Sequence, residues 1–518
     1  MNRVSVPRKG VIAAGFPLAA EAGAAMLRGG GNAIDAACAA AWALSVCESA
    51  ESGLGGHTVM LVRLASGRVF VIDGHSHAPA SLRRKLVTTR EQAEGIKATT
   101  IPSTVATLIY AQQKYGTQPL ATALAPAIDI AERGYAITKL QRKLISWVAP
   151  RWERGSVESN TFLHRHAVPH AGFLLRQPLL ARTLERISTH GADDFYRGSI
   201  AHELVRDMEA RSGLLSGSDL ASLTLPIERQ PLVAEIAGRR VFSTPPAGGG
   251  VQVLLALQML EQLRLDAPDD CLPIHLIHAL RRSFAERDRW PEHPDDFTHT
   301  LARWLVSKER AHAVLQRQTA GVQGAFREPG NTTHLCAADS DGNVVALTQS
   351  IQSVFGAKSM HPTLGFFYNN YLSACPREKH CYRLRGACTP MSNAAPTLMT
   401  DAHGAPLVAI GSAGSRRITS SIVQVLARVL WAGSSLRDAV DAPRIHTLDA
   451  ERLWMERGVS DEQLACIGAH ARIARTYSRY SYKLGAVHAL AWDSSGTAQG
   501  VADPRRDGAV VTVQECPA

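Results

Sequence analysis

A threonine hydroxyl is a poor nucleophile until something takes its proton. The segment Asn331-Thr332-Thr333-His334 offers a way to do this within one residue. If the Asn331–Thr332 peptide is cut, the freed α-amine of Thr332 has a reference pKa near about 8 and can accept the proton of its own hydroxyl. As an amide the same nitrogen is no base. Motifs for other solutions are missing: Ile410-Gly411-Ser412-Ala413-Gly414 lacks the spacing of a nucleophile elbow, and there is no His-Glu-x-x-His for zinc.

The elements around Thr332 must present it. From Thr332 to Ala338 the pattern is strand-like, Asp339 to Asn343 reads as a turn, and Val344 to Ser350 alternates as a second strand, so a β-hairpin is predicted. Upstream, Arg317 to Gly330 carries little periodicity and ends in the turn-forming Glu328-Pro329-Gly330. A strand that starts directly after such a tail is a place where a chain can be cut without unravelling. The first half reads as α/β, with helical periods over Ala19 to Leu27, Ala33 to Ser45, Leu120 to Gly134, Leu179 to Ser188, Ile200 to Ala210 and Gln252 to Leu263. Val59 to Leu64 and Arg68 to Asp73 read as a hairpin, and Arg151 to Pro169 as surface loop.

The composition is that of a folded enzyme-sized chain: of 518 residues, 45% are hydrophobic and 20% charged, which excludes the charge-rich signature of disorder. A net charge of +10 raises nucleic acid as a partner, but the arginines are scattered and no basic run or aromatic-interleaved motif follows, so nucleic-acid binding is not expected. The best apolar run, Ala36 to Cys47, is too short to cross a bilayer, and no targeting segment is visible in the N-terminal residues. The nine cysteines show no disulfide-framework spacing, and a cytoplasmic location is expected.

The processing-site tetrapeptide, together with Asp341-Gly342-Asn343 and the strand to Ser350, resembles that of γ-glutamyltranspeptidases. Further resemblances occur in family order: Gly30 to Ala37, Glu51 to Gly56, Pro245-Pro246 with Gly249-Gly250-Val251, Phe366 to Asn370, Asp441 to Arg444, and Asp503-Pro504-Arg505-Arg506-Asp507-Gly508. The resemblance covers essentially the whole chain. It implies a four-layer α/β/β/α sandwich of the N-terminal nucleophile hydrolases, made as a proenzyme. Residues 1–331 would form a large subunit and 332–518 a small one, intertwined as one domain and associated after cleavage, as a heterodimer or a dimer of heterodimers. It further implies Thr332 as nucleophile, Ser350 as a second hydroxyl beside it, and Gly414 and Ser415 as main-chain donors of an oxyanion hole. No cofactor and no metal are expected. Substrates would be small-molecule amides, with water or an amine as acceptor.

The pattern departs from the family where substrate is chosen. An arginine that holds a γ-glutamyl carboxylate is replaced by His75, the acid and amide that hold its amino group give way to a run containing Tyr371 and Ala374, a double serine reads Ser392-Asn393, and a family asparagine reads Gln352. His75, Gln352, Tyr371, Ser392 and Asn393 are therefore the expected substrate-binding positions. An ammonium desolvated without a carboxylate partner costs several kcal/mol, so a non-glutamyl acyl group is expected, of the kind handled by acylases or an oxamate amidohydrolase. A true γ-glutamyl enzyme and a silent relative remain as alternatives. The segment Ala374 to Thr389 lies where the family carries a lid, and Arg377, Lys379, His380, Arg383 and Arg385 give it a basic cast that would favour an anionic substrate. Cys375, Cys381 and Cys388 lack the Cys-x-x-Cys pair of a closed zinc site.

Overall fold

In the computed structural model, residues 9–223, 227–266, 272–290, 292–317, 330–377, 380–447, 449 and 451–514 are described. Two large sheets face each other. The first has seven strands in the order Ala509–Val513, Gly10–Ala14, Gly330–Asp339, Val344–Ser353, His57–Arg63, Val69–Gly74 and Ile227–Arg229. The second has six, in the order Ala498–Ala502, Ala486–Trp492, Pro406–Ala413, Thr397–Thr400, Arg239–Ser243 and Leu232–Ile236.

Alternation along the strands assigns the layers. Val11, Ala13, Val59, Leu61, Cys336, Ala338, Val344 and Ala346 from the first sheet meet Phe242, Leu398, Ala409 and Leu490 from the second in one core. Their neighbours Ile12, Met60, Leu335, Ala337 and Leu347 point the other way, onto helices including Pro17–Arg28, Ala33–Cys47 and Thr104–Tyr115. The outer face of the second sheet packs on Gly250–Asp266, Leu272–Arg287 and Arg417–Trp431. The result is helix, sheet, sheet, helix, the four layers expected.

The sheets approach closely at Gly411. A Cβ there would stand 2.1 Å from the His334 ring, so only a glycine admits the imidazole between the layers. His334 is fully buried, accepting or donating to Thr348 Oγ1 at 2.9 Å and Cys336 Sγ at 3.2 Å, and burial holds its pKa well below the ordinary histidine value.

The helix Ala33–Cys47 is capped by Asn32, whose side chain accepts from Ile34 and Asp35 N–H groups while Asp35 returns a bond to the Asn32 N–H. Every residue of this alanine-rich helix is buried. Small side chains let it lie flat on the sheet, and its C-terminal end delivers Glu48 and Glu51 beneath the hairpin.

Three expectations need correction. The strand does not begin at Thr332: it runs Gly330–Asp339, so the Asn331–Thr332 peptide lies inside a paired strand, with Asn331 opposite Gln352. The partner strand likewise continues to Ser353. The segment Arg151 to Pro169 holds a helix, Val157–Phe162, started by the Ser156 side chain and packed through Phe162 against Trp152 and Phe355. The tail residues 318–329 lie outside the described residues.

Candidate active site

Cross-strand neighbours create the site. On the strand Gly330–Asp339, Thr332 shares the inner face with His334, whereas Thr333 points to the helical layer and Glu48. Ser350 lies on the adjacent strand opposite His57, and the next strand, opposite Thr58 at Gly74, continues into His75. Thr332, Ser350, His57 and His75 thus form a row across four neighbouring chain segments. A register shift between Gln349 and Gln352 breaks the ladder at Ser350, and Gln352 takes φ of 80°.

The bulge leaves the Ser350 hydroxyl in the middle of the junction. Thr332 Oγ1 donates to Ser350 Oγ at 3.1 Å, and Ser350 Oγ donates to the Asn331 carbonyl at 2.8 Å. The Gln352 N–H donates to the same Ser350 oxygen at 3.0 Å. Asn331, Thr332 and Ser350 are all buried. Such an arrangement places a hydroxyl beside the peptide bond that a second hydroxyl polarises, which is the geometry an N→O acyl shift needs.

Groups that sequence reasoning missed hold the junction. Arg506 donates to the Thr332 carbonyl at 2.7 Å and to Asn331 Oδ1 at 3.0 Å, and pairs with Glu51. The Tyr482 hydroxyl donates to Asn331 Oδ1 at 2.7 Å, and Asn331 Nδ2 donates to the Ala50 carbonyl at 3.0 Å. Glu48 lies next to Glu51; burial and that neighbouring carboxylate push its pKa well up, against the pull of Arg506. The Asp503 to Gly508 motif was the available signal for Arg506. Nothing in the sequence marked Tyr482.

The second sheet ends beside the same bond. Past Ala413 the chain turns through Gly414 and Ser415 at φ of 117° and 61°. Serine in that region carries backbone strain, of order 1 kcal/mol or more. A Cβ on Gly330 would lie 2.8 Å from the Ser415 Cβ, so this turn abuts the junction strand one residue before Asn331.

The five expected substrate-binding positions divide. His75, Tyr371 and Ser392 converge, with His57 among them: the Tyr371 hydroxyl lies 2.8 Å from His57 Nε2, Ser392 Oγ 3.5 Å from it, and the His57 and His75 rings meet edge to face at 5.1 Å. Burial and His75 hold the His57 pKa well below its ordinary value, so this imidazole is neutral. His75 is gripped from behind by Asp73 at 2.6 Å, itself paired with Arg229 at 2.7 Å. Gln352 reaches the junction through its main chain. Asn393 turns away, its Oδ1 accepting from Arg287 at 2.9 Å. A cavity of about 520 Å³ adjoins this cluster through His75 and is lined by Asp73, Ser103, Arg229 and Asp295 among others.

Arg377 donates to the Val87 carbonyl and Gln92 Oε1 at 2.9 and 3.1 Å, His380 faces Asp288 at 3.3 Å, and Arg385 faces Asp296 at 3.4 Å. Lys379 lies outside the described residues. Among the described residues no helix is long and apolar enough to cross a membrane, and no group of three metal-ligating side chains occurs.

Two facing sheets between helical layers, with a strand-borne hydroxyl at the end of one sheet and a glycine turn of the other beside it, define an N-terminal nucleophile hydrolase. Comparison with known proteins narrows this class. The family model for gamma-glutamyltranspeptidase matches residues 19–513, and the chain belongs to that family. The acylase ACY 1 proenzyme of Pseudomonas sp. (strain V22) is 31% identical over 535 residues, spanning 98% of this chain and 94% of that protein. The glutathione hydrolase proenzyme of Escherichia coli (strain K12) is 28% identical over 537 residues, 96% of this chain and 90% of that one. Among solved structures, cephalosporin acylase from Bacillus halodurans superposes with a TM-score of 0.88 at 27% identity, covering 99% of this chain and 97% of that chain. The protein is thus an amide-directed enzyme of a hydrolase and transferase family whose relatives are made as proenzymes.

Proposed function

We propose that the chain cuts itself between Asn331 and Thr332 and then works as an N-terminal-threonine amidohydrolase on a small, non-glutamyl acyl amide. The observation that carries this is the continuous contact from Thr332 Oγ1 to Ser350 Oγ to the Asn331 carbonyl, at 3.1 and 2.8 Å. In maturation the Thr332 oxygen attacks the Asn331 carbonyl carbon, the C–N bond breaks as the ester forms, and water resolves the ester to leave a free amine. In turnover that amine takes the hydroxyl proton, the same oxygen attacks the substrate amide, and the Gly414 and Ser415 N–H groups hold the developing oxyanion. Water or an amine then accepts the acyl group. Residues 1–331 and 332–518 are the resulting subunits.

The acyl reading rests on the surroundings of His57. A γ-glutamyl ammonium entering here would need a carboxylate, yet Asp73, the acid in contact with His75, is already engaged by His75 and Arg229. An unpaired buried ammonium costs several kcal/mol. The acylase named among the relatives agrees with a pocket of this kind.

Denaturing electrophoresis and two substrates test the proposal. The 55.8 kDa chain should give way to two fragments whose smaller member begins at Thr332. Short acyl amides should be turned over well and a γ-glutamyl anilide poorly. A chain that stays whole while hydrolysing amides removes the self-cleaving mechanism; efficient γ-glutamyl turnover by cut enzyme removes only the acyl assignment.

A further inference from the structure

Arg444 and Arg505, buried in the small-subunit half of the fold, pair with Asp503 at 2.6 and 3.1 Å, and Arg506 pairs with Glu51. Arg287 has no acid but donates to four oxygens, the Asn393 side chain, the Ala247 and Ser392 carbonyls and the Tyr382 hydroxyl, at 2.6 to 3.2 Å. Arg417 is answered by neither. It is 6% exposed, its Nε has no hydrogen-bond partner, and its Nη2 reaches the Gly330 carbonyl only at 3.5 Å. Among the described residues no carboxylate pairs with it; the titratable groups acting on it are Tyr482, Arg506 and Tyr477. Burial brings its pKa down to about 10, so it stays charged at neutral pH. The helix that it opens, Arg417–Trp431, has no acid in its first turn, and nothing there offsets the positive helix end. A guanidinium taken out of water without a counter-charge is costly, and it is the half of an ion pair that an anionic ligand completes.

The junction itself shows which part of a ligand Arg417 addresses. Gly330 precedes Asn331, so the uncut chain lays its own acyl group between Thr332 and Arg417. The Gly330 carbonyl carbon is separated from the Asn331 carbonyl carbon by the Asn331 nitrogen and α-carbon. The two carboxyl carbons of succinic acid are separated by the same number of bonds. Arg417 is held in register with this end of the site: its N–H donates to the Gly414 carbonyl at 3.2 Å, and a Cβ on Gly414 would stand 3.3 Å from its Nε.

We propose that Arg417 receives a carboxylate at the far end of the substrate's acyl group, so that the preferred substrates are monoamides of a four-carbon dicarboxylic acid. This rests on the self-cleaving amidohydrolase reading of the site, and Arg417 becomes available once the cut end at Asn331 has moved away. The Thr332 oxygen then bonds to the amide carbon, the C–N bond breaks, and the hydroxyl proton leaves with the amine by way of the Thr332 α-amine. Water cleaves the ester and releases the diacid. A succinyl carboxylate takes the place of the Gly330 carbonyl and brings the negative charge that this carbonyl lacks, in a charge-assisted hydrogen bond to the guanidinium. A γ-glutamyl group brings a carboxylate as well, but the ammonium on the same carbon would stand beside the guanidinium and be repelled.

The test uses cut wild-type enzyme and the anilides of butyric acid, succinic acid, succinic acid methyl ester and γ-glutamic acid. kcat/KM for the succinyl acid should exceed that for its methyl ester by at least about tenfold. In Arg417→Met this acid-to-ester ratio should fall to about one, and in Arg417→Lys it should lie between. Because the ratio is taken within each variant, a general loss of activity does not move it. A wild-type ratio near one, with the butyryl anilide turned over well, overturns the proposal and leaves the self-cleaving amidohydrolase standing. A high ratio that survives Arg417→Met gives the carboxylate to another residue and also overturns it. The γ-glutamyl anilide as the best substrate of the series removes the non-glutamyl reading and this proposal together. The wild-type ratio keeps the proposal falsifiable even if neither variant folds.

Discussion

Arg506 donates to the main-chain carbonyl of Thr332 at 2.7 Å, from a position more than a hundred residues further along the chain. The contact ties the junction to the last strand region of the fold and sets a guanidinium beside the carboxylates of Glu51 and Glu48. Removing one partner of a buried ion pair leaves an uncompensated charge, at about 3–5 kcal/mol. Arg506→Met should therefore lower the urea midpoint markedly and leave the chain uncut. Arg506→Lys should recover part of the stability but not the two-pronged grip on Asn331 and Thr332.

Thr332→Ala should stay as a single 55.8 kDa chain with no turnover. Ser350→Ala should cleave slowly and lose about a hundredfold or more in rate, since it removes one donor from the scissile carbonyl. Ser350→Thr should retain most of both. Time courses on denaturing gels, with N-terminal sequencing of the smaller fragment, read all three outcomes.

Turnover should rise with pH as the Thr332 amine loses its proton, with a reference value near about 8 lowered by the neighbouring guanidinium. The sign follows because the neutral amine is the base: protonation at lower pH removes it. The acid limb of kcat/KM should move to higher pH if Arg506→Gln can be obtained cut. A limb that stays in place would assign the base elsewhere.

Asp73 links the recognition wall to stability. Burial alone would raise its carboxyl, but His75 and Arg229 outweigh that and hold it well below the usual carboxylate range. A carboxylate depressed in the folded state stabilises above its unfolded value of about 3.9 and loses that contribution as pH falls through the folded value. Asp73→Asn should thus be clearly less stable at pH 7, and the gap to wild type should narrow in strong acid. Urea titrations at pH 7 and pH 3 measure it.

Gly411→Ala should be among the most damaging small substitutions, because the added methyl meets the His334 ring at 2.1 Å and neither sheet can yield cheaply. A soluble, cut enzyme of wild-type stability would contradict the close approach of the two layers.

Legibility followed the range of the signal. The helices Ala33–Cys47 and Leu120–Arg133 and the hairpin around Gly342 were readable because periodicity, caps and turn residues act within a few positions. Gly134 does end its helix, at φ of 88°. The start of the junction strand was misplaced by two residues, since Gly330 and Asn331 are held by pairing with Ser353 and Gln352, which local pattern does not reveal. The basic cast of Ala374 to Thr389 was legible for its sign only: the acids that face His380 and Arg385, Asp288 and Asp296, come from elsewhere in the chain.

By itself the sequence determined the α/β character and, through motif order, the resemblance to the family that implied the four layers and the threonine around which the chemistry is proposed, because periodicity and motifs are written in neighbouring residues. Tertiary structure alone decided that Tyr482 and Arg506 grip Asn331 and that His57 stacks on Tyr371. Those contacts depend on which strands lie side by side and how a bulge turns Ser350, and they are settled by packing between segments far apart in the chain.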